Sequence, residues 1–194
     1  PVDGHAPGLR GDILRKYREV GISTDHESFG IEEAREKVSL GMKILIREGS
    51  AAKNFDTLCT LITDYPEQCM FCTDDAHPDA LVRGHINLLV KRAVRKGIDL
   101  LKVLRCACLN PVDHYRLNVG LLRISDPADM IVIDNLESFN ILKTIVRGRI
   151  VAENGVCRIG HTTPRPINVF NATVKQPDDF SIPEKSDLIR VIEV

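Results

Sequence analysis

Val2-Asp3-Gly4-His5-Ala6-Pro7-Gly8, Thr24-Asp25-His26-Glu27 and Phe71-Cys72-Thr73-Asp74-Asp75 share one grammar. In each, a short apolar or β-branched run stops at a metal-capable side chain, and a polar loop then leads into a helical stretch. His, His and Asp at three strand-to-loop exits form the pattern of a hydrolytic metal site. In a barrel of parallel strands such exits converge on the face at the C-terminal ends of the strands.

The segments between the exits support that reading. Residues 9–20, 30–40, 51–63 and 80–94 each carry apolar residues at helical spacing, so strand and helix alternate. Lys43-Ile44-Leu45-Ile46-Arg47 reads as a buried strand, and Glu48-Gly49-Ser50-Ala51-Ala52 as a tight turn that launches the next helix. Alternation of this kind predicts a parallel sheet with helical crossovers.

Composition narrows the classes. With 194 residues, 43% of them hydrophobic, the chain has enough apolar surface for a core; one domain plus an appendage is the natural expectation. The net charge of −1 with both signs interleaved suggests neither a nucleic-acid partner nor an acidic tail. No apolar run approaches the roughly 20 residues that span a bilayer, and no leader is read at the start, so a cytoplasmic protein is expected. Cys69-Met70-Phe71-Cys72 has zinc-knuckle spacing but lacks a second knuckle; the six cysteines are therefore expected as buried, reduced thiols. The basic run Lys91-Arg92-Ala93-Val94-Arg95-Lys96 favours the C-terminal dipole of its helix.

After Gly97 the character changes. Residues 98–109 read as one more helix, and Asn110-Pro111-Val112-Asp113-His114-Tyr115 as a turn followed by a short helix. Beyond Leu117 the pattern is β: residues 129–134 and 143–146 are strand-like, and residues 149–156 form a hairpin whose Asn154-Gly155 turn suits positive φ. The domains expected are therefore a (β/α) unit over 1–120, a β-rich segment over 121–160 and a proline-containing connector over 161–194 that ends in a strand at 188–194.

These segments, in this order, resemble the adenine deaminases of the amidohydrolase superfamily. The most specific parts are Val2-Asp3-Gly4-His5-Ala6-Pro7-Gly8-Leu9, Thr24-Asp25-His26-Glu27, Arg47-Glu48-Gly49-Ser50-Ala51, Thr73-Asp74-Asp75 and Asn110-Pro111; Ala128-Asp129-Met130-Ile131-Val132 and Gly148-Arg149-Ile150-Val151 are similar to the small β-domain that follows the barrel. The resemblance implies a partial TIM-barrel-like α/β domain made of strands five to eight, with His5 ending strand five, His26 strand six, the Arg47 turn strand seven and Asp74 strand eight. The superfamily's His-x-His pair on the first strand and its bridging Glu before strand five have no counterpart in this sequence. A whole barrel of this class takes about 250 residues, so the chain, which starts at Pro1, reads as a piece of a longer enzyme. A half barrel leaves an open strand edge that invites a homo-oligomer or association with the N-terminal half.

The resemblance also implies the chemistry. His5, His26 and Asp74 would ligate a divalent ion, Mn(II) or Fe(II) with Zn(II) as a further option, and adenine would be hydrolysed to hypoxanthine and ammonia. Asp74 would be both ligand and general acid/base, Glu27 would serve the purine ring nitrogen, and Arg47, Ser50 and Asp75 would line the substrate side. Each has a plainer reading. Asp74 or Asp75 can cap the following helix, although the first residue after the apolar run is the better-directed ligand. Glu27 can be a helix-start charge, and Arg47 can pair with Glu48 or Asp25. Another amidohydrolase that opens a cyclic amide, and a non-catalytic interaction module, stay open beside the deaminase.

Overall fold

Parallel pairing in chain order organises the first part of the molecule. A computed structural model of the chain describes residues 1–165, 167–183 and 188. Val2 makes a single parallel bridge to Ile22, and the chain crosses over through α1 (Gly11–Glu19) to β1 (Thr24–Asp25), through α2 (Ile31–Ser39) to β2 (Lys43–Arg47), and through α3 (Phe55–Leu58) and α4 (Leu61–Asp64) to β3 (Cys69–Cys72). The sheet order is β1-β2-β3, all parallel, with Thr24 opposite Lys43 and Ile44 opposite Cys69. Each strand is thus the neighbour of the one before it, joined to it by a helical crossover.

Packing explains the short strands. Ile44 and Ile46 of β2 are fully buried and join Ala34 and Val38 of α2, Phe55, Leu58, Leu61 and Ile62, and Phe71 of β3 in one core. The Phe55 and Phe71 rings stack at 6.2 Å. Burying each such side chain contributes about 1.5–3 kcal/mol, well beyond what strands this short contribute alone. The expected helix over 51–63 is two short helices broken at Cys59-Thr60, and that over 80–94 is α5 (Pro78–Leu81) and α6 (Ile86–Arg95), parted at Gly84, whose φ is +148°.

The turn expected at Asn110-Pro111 is not a turn. Helix α7 (Leu100–Leu104), capped by the Asp99 side chain accepting from the Lys102 N–H at 3.0 Å, runs through a π-helical turn at Arg105–Leu109 directly into α8 (Asn110–Tyr115). In a regular helix Pro111 would clash with the preceding turn; the wider turn, closed by the Asn110 N–H to the Arg105 carbonyl, gives its ring room. Asn110 then donates through Nδ2 to the carbonyls of Pro66 (2.6 Å) and Cys69 (2.7 Å), which ties this helix to the start of β3. At the far end, Tyr115 donates to Asp3 Oδ1 at 2.9 Å, reaching back to the segment that begins at Val2.

Four antiparallel strands follow in the order β4 (Met130–Ile133), β5 (Ile141–Val146), β6 (Arg149–Glu153), β7 (Val156–Cys157). The β6-β7 turn has both Asn154 (φ 49°) and Gly155 (φ 79°) in the left-handed region, as the Asn-Gly pair suggests. Arg147 (φ 48°) and Gly148 (φ 76°) repeat the device between β5 and β6, at a pair the sequence did not flag. Phe139, in the loop between β4 and β5, is buried in the core of the parallel layer. Residues 160–194 form a separate unit, whose described regular element is a 3-10 turn at Pro177–Phe180. The strand expected over 188–194 lies outside the described residues apart from Leu188.

Among the described residues, no helix is long and apolar enough to cross a membrane. All six cysteines are free; Cys59, Cys69 and Cys106 are buried as expected and Cys72 is half-buried, but Cys108 and Cys157 are exposed. Burial alone therefore does not describe the set.

Candidate metal centre at the strand ends

His26 and Asp74 leave the sheet at the C-terminal ends of β1 and β3, and His5 follows the Val2 segment bridged to Ile22; backbone contacts help to hold these exits. Gly4 lets the segment that begins at Val2 approach β1: a Cβ there would lie 2.3 Å from Ile22 Cγ2 and 2.6 Å from the Thr24 carbonyl. The Gly4 N–H donates to Thr24 Oγ1 (3.0 Å), and the His5 N–H donates to the Tyr17 hydroxyl (2.8 Å), which returns a bond to the His5 carbonyl (3.2 Å). Asn54 secures the next two exits. Its Oδ1 accepts from the Arg47 N–H (2.7 Å) while its Nδ2 donates to the carbonyls of His26 (3.2 Å) and Ser28 (3.3 Å). Asp74 takes φ 42°, a left-handed conformation that Asp tolerates better than most residues.

These supports bring the side chains together. The His5 and His26 rings meet edge to face at 5.5 Å. His5 Nε2 lies 3.2 Å from Glu27 Oε2, His26 Nε2 4.0 Å from Glu27 Oε1, and His26 Nε2 3.2 Å from Asp74 Oδ2. Donor atoms of His5, His26 and Glu27 all fall within 4.8 Å of one another. A divalent ion with bonds of about 2.0–2.2 Å spans donors roughly 3–4 Å apart, so the spacing and the imidazole-carboxylate donor set both fit such an ion. Among the described residues it is Glu27, and not the expected Asp74, that completes this group of three, while Asp74 stands against His26 at 3.2 Å.

Arg47, 6% exposed, is the counter-charge. Its Nη1 contacts Glu27 Oε1 (2.5 Å) and Asp74 Oδ2 (3.1 Å), and its Nη2 contacts Asp75 Oδ1 (3.1 Å). Neither Glu48 nor Asp25, the partners considered from sequence, takes that place: Glu48 faces Arg92 at 3.0 Å, and Asp25 faces Lys37 at 2.9 Å. Burial opposes the guanidinium charge, but Asp75, Asp74 and Glu27 together hold it above its ordinary value. Asp75 also accepts from the N–H groups of Ser50 (3.1 Å) and Ala51 (3.0 Å), and the Ala51 bond leads in holding its carboxyl below the usual range. Ser50 Oγ accepts from the His77 N–H at 2.9 Å, so the turn after β2 and the loop after β3 are laced together. A cleft of about 60 Å³ lined by His26, Glu27, Phe29, Arg47 and Asn54 opens beside the donors.

Sequence reasoning missed Tyr17, Asn54 and Lys37. The first two act on backbone atoms of residues 12 and 28 positions away, for which no local pattern exists. Lys37 had a signal: it follows Glu33 by four residues on the apolar face of α2, and both are buried. Buried Asp25 receives hydrogen bonds from Ser28 and Lys37 that outweigh its desolvation and hold its carboxyl below the ordinary range.

Comparison with known proteins places the chain in a family. Residues 1–151 match the amidohydrolase family. The chain is 56% identical over 192 residues to the adenine deaminase of Salinibacter ruber, covering 99% of this chain and 35% of that protein, and 52% identical over 196 residues to that of Borreliella burgdorferi, covering 99% and 36%. The chain thus spans about a third of the length of these curated relatives. In fold it is similar to a beta-aspartyl dipeptidase from Fervidobacterium islandicum AW-1, with a TM-score of 0.60 at 16% identity over 83% of this chain and 50% of that one.

Proposed function

The chain belongs to the amidohydrolase family, a generally metal-dependent one, and on that footing we propose that it carries the second half of an adenine deaminase site. In this reading the Val2 segment, β1, β2 and β3 are strands five to eight of an eight-stranded barrel. The remaining strands come by association with an N-terminal half or within a homo-oligomer. A cytoplasmic role in purine salvage accompanies it. The observation that carries the reading is the convergence of His5, His26, Glu27 and Asp74 within contact distance at the C-terminal ends of the strands, in a chain 56% identical to an adenine deaminase.

His5, His26 and Asp74 would hold the divalent ion, Mn(II) or Fe(II) before Zn(II). Such an ion lowers the pKa of a coordinated water toward neutrality and so makes a nucleophile available at pH 7. Asp74, 3.2 Å from His26 Nε2, accepts the proton of the attacking water and delivers it to the departing amine. Addition comes first: the C6–O bond forms while the C6–ring-nitrogen π pair moves onto that nitrogen, which takes a proton from Glu27; the C6–N bond to the amine then breaks, the hydroxyl proton on C6 returns to Glu27, and hypoxanthine and ammonia leave. Glu27 faces both histidines and serves the ring nitrogen that gathers electron density. Arg47 acts on the substrate side through the Glu27 and Asp74 carboxylates it grips, and Ser50 and Asp75 set the shape of the rim.

The test is chromatographic. The chelator-stripped chain, alone and mixed with the N-terminal part of the Salinibacter ruber relative, is resupplied with Mn(II), Fe(II) or Zn(II) and given adenine or a cyclic amide such as hydantoin. Metal-dependent release of hypoxanthine that is lost in His26→Ala supports the proposal. Opening of hydantoin without deamination of adenine, or no product from the mixture despite bound metal, overturns it.

A further inference from the structure

Beneath the two histidine exits lies a charged knot whose side chains, Asp25, Ser28, Glu33 and Lys37, are all buried. Lys37, 0% exposed, points its Nζ from α2 at four acceptors: the Ala6 carbonyl (2.7 Å), Asp25 Oδ2 (2.9 Å), Ser28 Oγ (3.1 Å) and Glu33 Oε1 (2.5 Å). Ala6 follows His5, and Asp25 and Ser28 flank His26-Glu27. The acceptors are themselves tied across the same gap. Asp25 Oδ1 accepts from the Ala6 N–H (2.9 Å), Ser28 Oγ donates to Asp25 Oδ2 (2.6 Å), and Glu33 accepts from the N–H groups of Gly8 (2.8 Å) and Phe29 (3.0 Å). Both loops that carry histidines are therefore fastened, on each side of the histidine or just beyond it, to one ammonium group.

From this juxtaposition we propose that Lys37 is a positioning residue that fixes the His5–His26 separation and thereby the affinity and geometry of divalent-ion binding; this rests on the metal-site reading above. The bland account, that the knot only stabilises α2 against the sheet, needs Lys37 near Asp25 and Glu33 alone. It leaves unexplained why the two further contacts go to Ala6 and Ser28, which lie in the two histidine loops and not on the helix. Buried charge also stabilises poorly for its desolvation cost, whereas outer-shell partners that orient ligands commonly change metal affinity by about 10- to 100-fold. Lys37 touches no metal and no substrate; it acts through Ala6, Asp25 and Ser28.

Co(II) is the probe, since its visible absorption reports ligand geometry. Lys37→Met is compared with wild type and with Val38→Ala, a core change one residue along the same helix that loses stability without touching the knot. Expected is a 10-fold or greater fall in Co(II) affinity and an altered visible spectrum in Lys37→Met, with Val38→Ala matching wild type in both. Where Lys37→Met does not fold, Lys37→Arg is read instead; it keeps the charge but its planar fork cannot repeat the four contacts, and the same fall is expected. Wild-type affinity and spectrum in the folded Lys37 variant overturn the inference while the metal site stands. Absence of Co(II) binding by the wild type overturns both.

Discussion

Replacing Arg47 by Met should weaken the fold and, at the same time, sharpen its response to divalent ions. The guanidinium is 6% exposed and touches three carboxylates, Glu27, Asp74 and Asp75, whose side chains are 20%, 33% and 34% exposed. Removing one partner of a fully buried pair costs about 3–5 kcal/mol; solvent reaching the carboxylates screens part of this, leaving about 2 kcal/mol. With a urea m-value of about 2 kcal/mol/M for a chain of this size, the midpoint falls by about 1 M with the slope unchanged. The same loss leaves Glu27 and Asp74 uncompensated beside His5 and His26, so a divalent ion takes over the missing positive charge. Mn(II) should then raise the midpoint of Arg47→Met by more than it raises that of wild type, because ligand that binds only the folded state adds its binding free energy. The assay is paired urea titrations by circular dichroism, with and without Mn(II). A shift under about 0.2 M in the absence of metal, or an equal Mn(II) response in the two proteins, refutes the reasoning.

Other consequences can be read as directly. Gly4→Ala places a methyl 2.3 Å from Ile22 Cγ2; at an overpacking cost of about 1–3 kcal/mol the segment that begins at Val2 should lift, and amide exchange at Ser23, whose N–H donates to the Val2 carbonyl at 2.9 Å, should accelerate, whereas unchanged protection would contradict the close-approach argument. Burial pushes the Cys72 and Cys106 thiols up to about 12 and Cys69 higher still, so a thiol-directed reagent at pH 8, followed by peptide mass spectrometry, should label exposed Cys157 first; prior labelling of Cys69 would count against the described core. Asp25 is held below the usual carboxylate range, so its share of stability is complete above about pH 4 and drains as pH falls through the depressed value. Asp25→Asn should accordingly flatten the acid limb of a pH–stability curve, and an unchanged limb would show that Asp25 does not govern it.

What was legible in sequence was whatever repeats along the chain. The apolar runs ending in His5, His26 and Asp74 announce themselves, because a buried parallel strand needs continuous apolar residues and its exit does not. Glu27 and Arg47 were visible as residue types, but the grip of one on the other across 20 residues was not, and nothing in the local pattern favours Glu27 over Glu48 as the partner. Lys37 offered only its four-residue spacing from Glu33 on the apolar face of α2; its contacts with Ala6 and Asp25 come from the sheet and have no local pattern. Pro111 misled for a different reason: the rule that proline breaks helices assumes a regular preceding turn, and the π-helical turn at Arg105–Leu109 removes that assumption through hydrogen bonding that periodicity does not record. Arg147-Gly148 escaped notice because Arg is an uncommon residue at positive φ, adopted here beside a glycine that costs nothing.

The bond from Tyr115 to Asp3 joins residues 112 positions apart in the chain, and Asp3 Oδ1 is also held by the Thr24 hydroxyl at 2.8 Å. Mechanically this is a buckle across a loop that contains every strand of the parallel sheet. Pulling on residues 2 and 116 loads the buckle together with the Val2 bridge to Ile22 and the Ser23 N–H bond to the Val2 carbonyl, while β2, deeper inside the loop, is shielded until those ties open. In a force experiment between those two points the first event should be a small extension step as the Tyr115–Asp3 bond and the Val2 ties open together, with β2 unravelling only afterwards; in Tyr115→Phe that first step should come at lower force.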